Sequence, residues 1–235
     1  MKQIIRENQE AYMESLKVWL AETRDTEPEE MSAFFRRRLE GYEEHMSVWS
    51  DAYIRMEQLL PAGTQTLLDL GCGTGLELDR ILEKRPDLKV TGVDLSEDML
   101  EKLHEKHPGV HMICGDYFQE DLGEGLYDAV ISFESLHHFR PEQKRELFIK
   151  IRRALKAGGI FLEADYLACC PEEEELLAHV CEEKRQKAHI PQDMFIHFDT
   201  PLTPEHETEL LREAGFSRVE FSDSINGASF LKATP

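Results

Sequence analysis

The stretch Leu67-Leu68-Asp69-Leu70-Gly71-Cys72-Gly73-Thr74-Gly75 decides the fold. Its first half is an apolar run of strand length, and its second half sets glycines at alternate positions just before a helical pattern that begins at Leu76. Glycines let the backbone turn sharply and let a ligand approach with no Cβ in the way, while a helix start leaves N–H groups unpaired. Taken alone, a glycine-rich turn after a strand also serves as nothing more than a tight turn. The flanking strands settle which of the two it is.

Outward from this turn, Asp94 ends the next apolar run, 19 residues past Gly75. An acid at that point can accept hydrogen bonds from both ribose hydroxyls of a nucleoside. Gly115-Asp116-Tyr117 ends the third run, where an acid can take the exocyclic amine of adenine and an aromatic can pack on the ring. Turn, acid and acid thus fall at the carboxyl ends of three consecutive strands, where open α/β sheets bind ligands. A dinucleotide site wants G-x-G-x-x-G under a pyrophosphate. Here the pattern is G-x-G-x-G followed by Leu76-Glu77, with Asp69 just ahead. Those acids repel a pyrophosphate and suit the ammonium of an amino-acid tail. A nicotinamide-dependent oxidoreductase therefore remains only as the alternative that the generic turn allows.

Short apolar runs alternate with helical stretches from Pro61-Ala62-Gly63 onward, the signature of βαβ units and a parallel sheet. The expected strands are 66–70, 89–94, 110–114, 127–133 and 160–164, with helices over about 76–84, 97–106, from Pro141 to a close at Gly158-Gly159, and from Pro171 to about Ala188. Thr203-Pro204-Glu205 starts a further helix that Gly215 ends. Residues 218–221 and 229–233 then form a terminal antiparallel pair. Residues 1–60 read as helices, from the spacing of Tyr12, Leu16, Trp19 and Leu20 and of Met31, Phe34, Phe35 and Leu39. The expected organisation is a helical extension over 1–60, serving as a lid, and a core over 61–235 with a lid insertion at about 166–200.

The chain has 235 residues, with 27 Lys and Arg against 47 Asp and Glu, a net charge of −20. Such a field disfavours nucleic acid as a partner. The densest basic runs, Arg36-Arg37-Arg38 and 150–153, have acids nearby and read as solvated helix faces. The longest stretch without charge, Gln58 to Leu68, has 11 residues, whereas a membrane helix needs about 20. The opening MKQIIRENQE meets charge too early for a signal peptide. Five cysteines without a CxxC pair fit a reducing compartment, so the expected location is the cytoplasm. No feature of the sequence fixes an oligomeric state.

LLDLGCGTG, GVDLSEDML, GDYF, YDAVISFESLHHF and LKAGGIFLEADY, in this order and spacing, resemble the class I S-adenosylmethionine-dependent methyltransferases over roughly residues 40–233. The resemblance implies a Rossmann-like α/β fold, a seven-stranded mostly parallel sheet ordered 3-2-1-4-5-7-6 with strand 7 antiparallel, and S-adenosyl-L-methionine as cofactor. It implies that Gly71, Gly73 and Gly75, with Asp69, Cys72 and Thr74 between and beside them, face the methionine moiety. Asp94 would then face the ribose, Asp116 and Tyr117 the adenine, and Leu95 and Met99 would wall the adenine pocket. The ending AGFSRVEFSDSINGASFLKA and Gly41-Tyr42 are similar to the carboxy-S-adenosylmethionine synthases. Those bind the extra carboxylate with an arginine before the last helix, where this chain's AHIPQDMFIHFDTP has none.

Methyl transfer needs a nucleophile held in line with the sulfonium methyl, and a base only where the acceptor arrives protonated. His137 and His138 follow the fourth strand at the mouth of the sheet and are candidates for that role or for substrate contact, with packing and loop bonding as the alternatives. Glu134 is placed to touch the methionine end or to cap its loop. Tyr42, with His45 and Trp49, lies where an N-terminal helix can line the pocket or pack on the core. His197 and Asp199 can form the far wall. No metal-ligand spacing of histidines is present, so no metal is expected. The reading is a methyltransferase acting on a small-molecule acceptor. The alternatives are a carboxy-S-adenosylmethionine-type or tRNA-modification enzyme and a non-catalytic cofactor-binding module.

Overall fold

The computed structural model describes residues 8–235. The first seven, which open the stretch read above for a leader and begin the helical extension, lie outside the described residues. Helices α1 (Gln9–Glu22), α2 (Met31–Arg38), α3 (Tyr42–Met46) and α4 (Ser50–Leu59) precede the sheet, with a two-residue strand β1 (Glu29–Glu30) ahead of α2. The core alternates β2 (Thr66–Leu70), α5 (Leu76–Lys84), β3 (Lys89–Asp94), α6 (Glu97–Lys106), β4 (His111–Cys114) and β5 (Tyr127–Phe133). A single 3-10 turn, Leu136–His138, leads to α7 (Pro141–Ala154) and β6 (Leu155–Tyr166). The chain closes through α8 (Pro171–Lys187), β7 (Ile196–His197), α9 (Pro204–Glu213), β8 (Arg218–Ile225) and β9 (Ala228–Thr234).

The large sheet has the order β4-β3-β2-β5-β6-β9-β8, parallel except for β9, which runs antiparallel to both neighbours. Counted within this sheet, that is 3-2-1-4-5-7-6, as the sequence predicts. Alternation along β6 divides the core: Phe161 packs with Leu147, Phe148 and Ile151 of α7 and Leu211 of α9. Leu162 packs on the other face with Met56 of α4, Leu78 and Ile81 of α5 and Leu103 of α6. Side chains of one strand point to opposite faces, so both faces must be apolar and helix-covered. A buried Lys144 ties α7 to α9 through the Glu207 carboxylate at 2.6 Å, with Glu163 of β6 at 3.7 Å.

Two boundaries differ from expectation. Helix α7 ends at Ala154, short of Gly158-Gly159. The amides of Gly125 and Leu126 reach back to the carbonyls of Arg153 and Ala154 at 2.9 and 2.8 Å, so the last turn is satisfied by the preceding loop and needs no glycine cap. The chain goes extended at once, and the glycines lie inside β6, beside an irregularity in its pairing with β5. The second difference is β1, which pairs antiparallel with β7, Glu29 opposite His197 and Glu30 opposite Ile196. Two residues a side give too little alternation to read from sequence. Arg36, Arg37 and Arg38 are exposed on α2, with Arg37 and Arg38 pairing with Glu29 at 2.9 and 3.1 Å, whereas Lys150 is half-buried and binds carbonyls of Tyr117, Phe118 and Glu120. Among the described residues, no helix is long and apolar enough to cross a membrane.

Candidate functional site

The carboxyl ends of β2, β3 and β5 open onto one cleft. Gly71 and Gly73 take φ of +76° and +48°, backbone that favours glycine, and a Cβ on Gly71 would stand 2.2 Å from Ser135 Oγ. The Asp94 carboxylate accepts from Gly73 N at 2.9 Å and from Ser96 N at 2.8 Å, which fixes it at the tip of β3. Burial raises its carboxyl despite those two amides. Leu95, Met99 and Tyr117 line the same cleft, the Tyr117 hydroxyl 3.2 Å from Ser135 Oγ. Glu134 closes the far end with φ +45°, a left-handed conformation that costs a non-glycine residue energy and is concentrated at functional sites.

Several candidates lie beside the cleft rather than in it. Asp69 is fully buried behind the turn next to Glu77; burial and the Glu77 charge push its carboxyl well up, and burial carries Glu77 to about 7. One proton shared by this pair keeps two carboxylates from facing each other in a dry site. Cys72 points into the core against Gly92, and Gly75 starts α5 where a Cβ would meet Leu103 at 2.4 Å. Thr74 is buried with its hydroxyl unpartnered. Asp116 accepts from Phe118 N at 2.8 Å in a turn that follows β4, outside the cleft lining. Sequence reasoning missed Met31, Ser32 and Phe35 of α2, which cover the cleft, and Ser96, Ser135 and Phe139 within it. The helical spacing of Met31 and Phe35 carried the signal that this face is buried, but not what covers it.

Adjoining the cleft is a chamber of about 670 Å³. Phe34, Tyr42, His45 and Trp49 come to it from the N-terminal helices, His137 and His138 from the turn after β5, and His197 and Asp199 from the segment after α8. Four residues line both spaces: Phe35, Tyr42, Glu134 and His138. The His137 Nδ1–H donates to Asp165, whose carboxylate also accepts from Leu136 N at 2.8 Å and Tyr166 N at 2.9 Å. Burial opposes charge on His137, but Asp165, Asp199 and Glu134 outweigh it and raise the imidazole to about 9. Burial and the charge of His137 lower His138, and burial with His138 takes His197 down to about 3. Glu134 is raised by burial to about 8, with one carboxylate oxygen buried and unpartnered. Of this cluster only His137 carries charge at neutral pH on the cationic side, and Asp165 and Asp199 on the anionic side. No arginine comes from the 188–201 segment; Arg37 and Arg38 reach the chamber from α2, already paired with Glu29.

The groups around the cleft suit a nucleoside with an amino-acid tail: a half-buried acid at the end of β3, an aromatic beside it, a glycine cradle that a side chain would fill, and an unpaired buried oxygen on Glu134. Residues 67–159 match the family described as a methyltransferase domain. The seven-stranded fold and the cleft agree with that match, so residues 67–159 carry a methyltransferase domain of the kind that uses S-adenosyl-L-methionine. The chain is similar to the malonyl-[acyl-carrier protein] O-methyltransferase of Herminiimonas arsenicoxydans, 30% identical over 59% of this chain and 52% of that protein. It is also similar to the carboxy-S-adenosyl-L-methionine synthase of Campylobacter concisus, 28% identical over 70% of this chain and 74% of that one. The chain thus spans about half the length of the first and about three quarters of the second. Human N-acetylserotonin methyltransferase, solved with S-adenosylmethionine, shares the fold with a TM-score of 0.63 at 19% identity, over 95% of this chain and 61% of that one.

Proposed function

We propose that the protein transfers the methyl group of S-adenosylmethionine to a small-molecule acceptor held in the 670 Å³ chamber. The observation that carries this reading is the shared wall: Phe35, Tyr42, Glu134 and His138 border both cleft and chamber, so the two spaces adjoin at the end of the cleft where Glu134 stands. The cofactor, when bound, supplies an electrophilic methyl on a sulfonium. The chain's own residues do the rest. Asp94 takes the ribose hydroxyls, Leu95, Met99 and Tyr117 hold the adenine, and the Gly71–Gly75 turn with Glu134 holds the methionine end. His137, His138 and Tyr42 face the acceptor and orient its nucleophile. Residues 1–60 and about 166–200 act as the lid over a core of 61–235, excluding water from the transfer. The charge of −20 argues for a small acceptor over nucleic acid, and the free cysteines are in keeping with a cytoplasmic location.

The relatives include a carboxy-S-adenosylmethionine synthase, but the 188–201 segment offers His197 and Asp199 to the chamber where that activity calls for an arginine. Calorimetric titration with S-adenosylhomocysteine and with NAD, followed by labelled-methyl assays on a panel of small phenols, carboxylic acids and amines, tests the reading. Micromolar binding of S-adenosylhomocysteine and a methylated product are expected. Binding of NAD alone overturns the cofactor assignment. A carboxylated cofactor among the products, or cofactor binding with silence across the panel, overturns the transfer.

A further inference from the structure

We propose that His137, His138 and Asp199 form a binding site for a divalent transition-metal ion, opening into the chamber. The three side chains each offer one ligand atom, and those atoms lie within 4.8 Å of one another. His137 Nε2 is 3.6 Å from Asp199 Oδ1, and His138 Nδ1 is 3.3 Å from the same oxygen. Both separations are long for a hydrogen bond. The second falls within, and the first just beyond, the edge of about 3.0–3.5 Å between two ligands that each sit about 2.1 Å from a shared ion.

The site is built from behind. His137 Nδ1 donates to Asp165, a buried carboxylate held by the amides of Leu136 and Tyr166, and this turns Nε2 toward Asp199, where an incoming ion displaces the Nε2 proton to solvent. A ligand histidine whose other nitrogen is fixed by a carboxylate is the usual outer arrangement of a metal centre. Thr200 N and Oγ1 bind the His137 carbonyl at 2.7 and 3.2 Å, fastening the segment that bears Asp199 to the turn that bears the histidines. His138 Nδ1 also lies 3.4 Å from Phe198 O, a long contact that coordination would replace. A second grouping, Glu134 with His137 and Asp165, is less suited, because His137 Nδ1 and both Asp165 oxygens already have partners.

Two imidazoles and one carboxylate favour zinc, iron(II), cobalt or manganese over magnesium or calcium. Three protein ligands leave positions open on the chamber side, as catalytic sites do and structural ones do not. An acceptor oxygen could fill one of them; that role rests on the proposed methyl transfer, whereas the site itself does not. The sequence carried no sign of it, since adjacent histidines match no ligand spacing and Asp199 lies 61 residues beyond His138.

The test uses the full chain, stripped with chelator and dialysed. Cobalt(II) titration followed by visible absorption, and zinc(II) titration by calorimetry, are expected to show one saturable equivalent at micromolar concentration. Asp199→Asn and His137→Gln should each weaken binding by about tenfold or more, while replacement of the exposed His179 by Gln leaves it unchanged. S-adenosylhomocysteine titration of each variant shows whether the fold and cleft are intact. No saturable uptake by the wild-type chain, or uptake indifferent to Asp199→Asn and His137→Gln in variants that still bind S-adenosylhomocysteine, overturns the proposal. Neither result touches the methyl-transfer reading, which fails instead on loss of cofactor binding or absence of product.

Discussion

Glu29 stands opposite His197 in a two-residue antiparallel ladder, so the strand before α2 is stitched to the segment that follows α8. The chain's two flanking pieces thereby meet over the mouth of the sheet. Phe34 of α2 stacks on the His197 ring at 3.4 Å, and Glu30 caps α2 by accepting from Ser32 N and Ala33 N. Glu30→Ala removes that cap and should lower stability by about 1 kcal/mol. The affinity for S-adenosylhomocysteine should change with it, because Met31 and Ser32 in the loosened first turn line the nucleoside cleft. Urea unfolding and calorimetry on the one variant check both halves.

Helix α2 also stands in the way of the cofactor. The cleft lined by Met31, Phe35, Asp94 and Tyr117 has about 70 Å³ of free space, while ligand sites usually need about 300 Å³ or more. Cofactor entry therefore requires α2 to move outward from the glycine turn. Hydrogen exchange should show α2 amides exchanging faster than those of β2 in the free protein, with a change in α2 protection on binding S-adenosylhomocysteine. Met31→Ala should speed cofactor association. Uniform slow exchange across α2 in both states, with unchanged association, would refute this gating.

Glu77 gives a pH dependence of known sign. Burial raises its carboxyl to about 7, above the ordinary glutamate value, so the folded chain holds this proton more tightly than the unfolded chain. Stability tied to this group is present at low pH and is lost as pH rises through about 7. The cost approaches about 3 kcal/mol at alkaline pH. Glu77→Gln should therefore gain on wild type in melting temperature between about pH 5 and 8, most at the upper end. A melting difference independent of pH would show that Glu77 ionises normally.

Asp94→Ala should weaken S-adenosylhomocysteine binding by about 1–3 kcal/mol through loss of charge-assisted bonds. It also frees the amides of Gly73 and Ser96, so Asp94→Asn, which keeps an acceptor oxygen, should recover part of the fold's stability and less of the affinity. Paired calorimetry and thermal unfolding separate the two effects.

The sheet order and the cofactor cleft were legible because their signals are local or evenly spaced: apolar runs of strand length, glycines at alternate positions, acids at strand ends. Asp94, Leu95, Met99 and Tyr117 all come together at the cleft for that reason. Asp69 and Cys72 look like part of the turn but are buried behind it, Asp69 at the end of β2 beside Glu77 and Cys72 against Gly92. What escaped the sequence depends on distant segments meeting. Asp165 supports His137 from β6, and Asp199 approaches it from beyond α8; neither residue bears a local mark of that partnership. The β1–β7 ladder is too short to carry a period.

Tyr42 offers the sharpest separation between holding the cofactor and acting on the acceptor. Its hydroxyl stands 3.7 Å from the position of a Cβ on Gly73, and its ring lines both spaces. Burial, followed by the charges of Glu77, Asp94 and Glu134, raises the phenol, so it remains an O–H donor at every working pH. As a donor it can steady the acceptor's nucleophile, and it cannot serve as a base. Tyr42→Phe keeps the ring and removes only the hydroxyl. The expected result is a fall in kcat of about tenfold or more on an identified acceptor, with S-adenosylhomocysteine affinity held within about twofold. The pH profile of kcat should keep its shape, because the lost group does not titrate in the range measured. Equal losses in kcat and cofactor affinity would make Tyr42 a cofactor contact. No loss in either would leave it a packing residue.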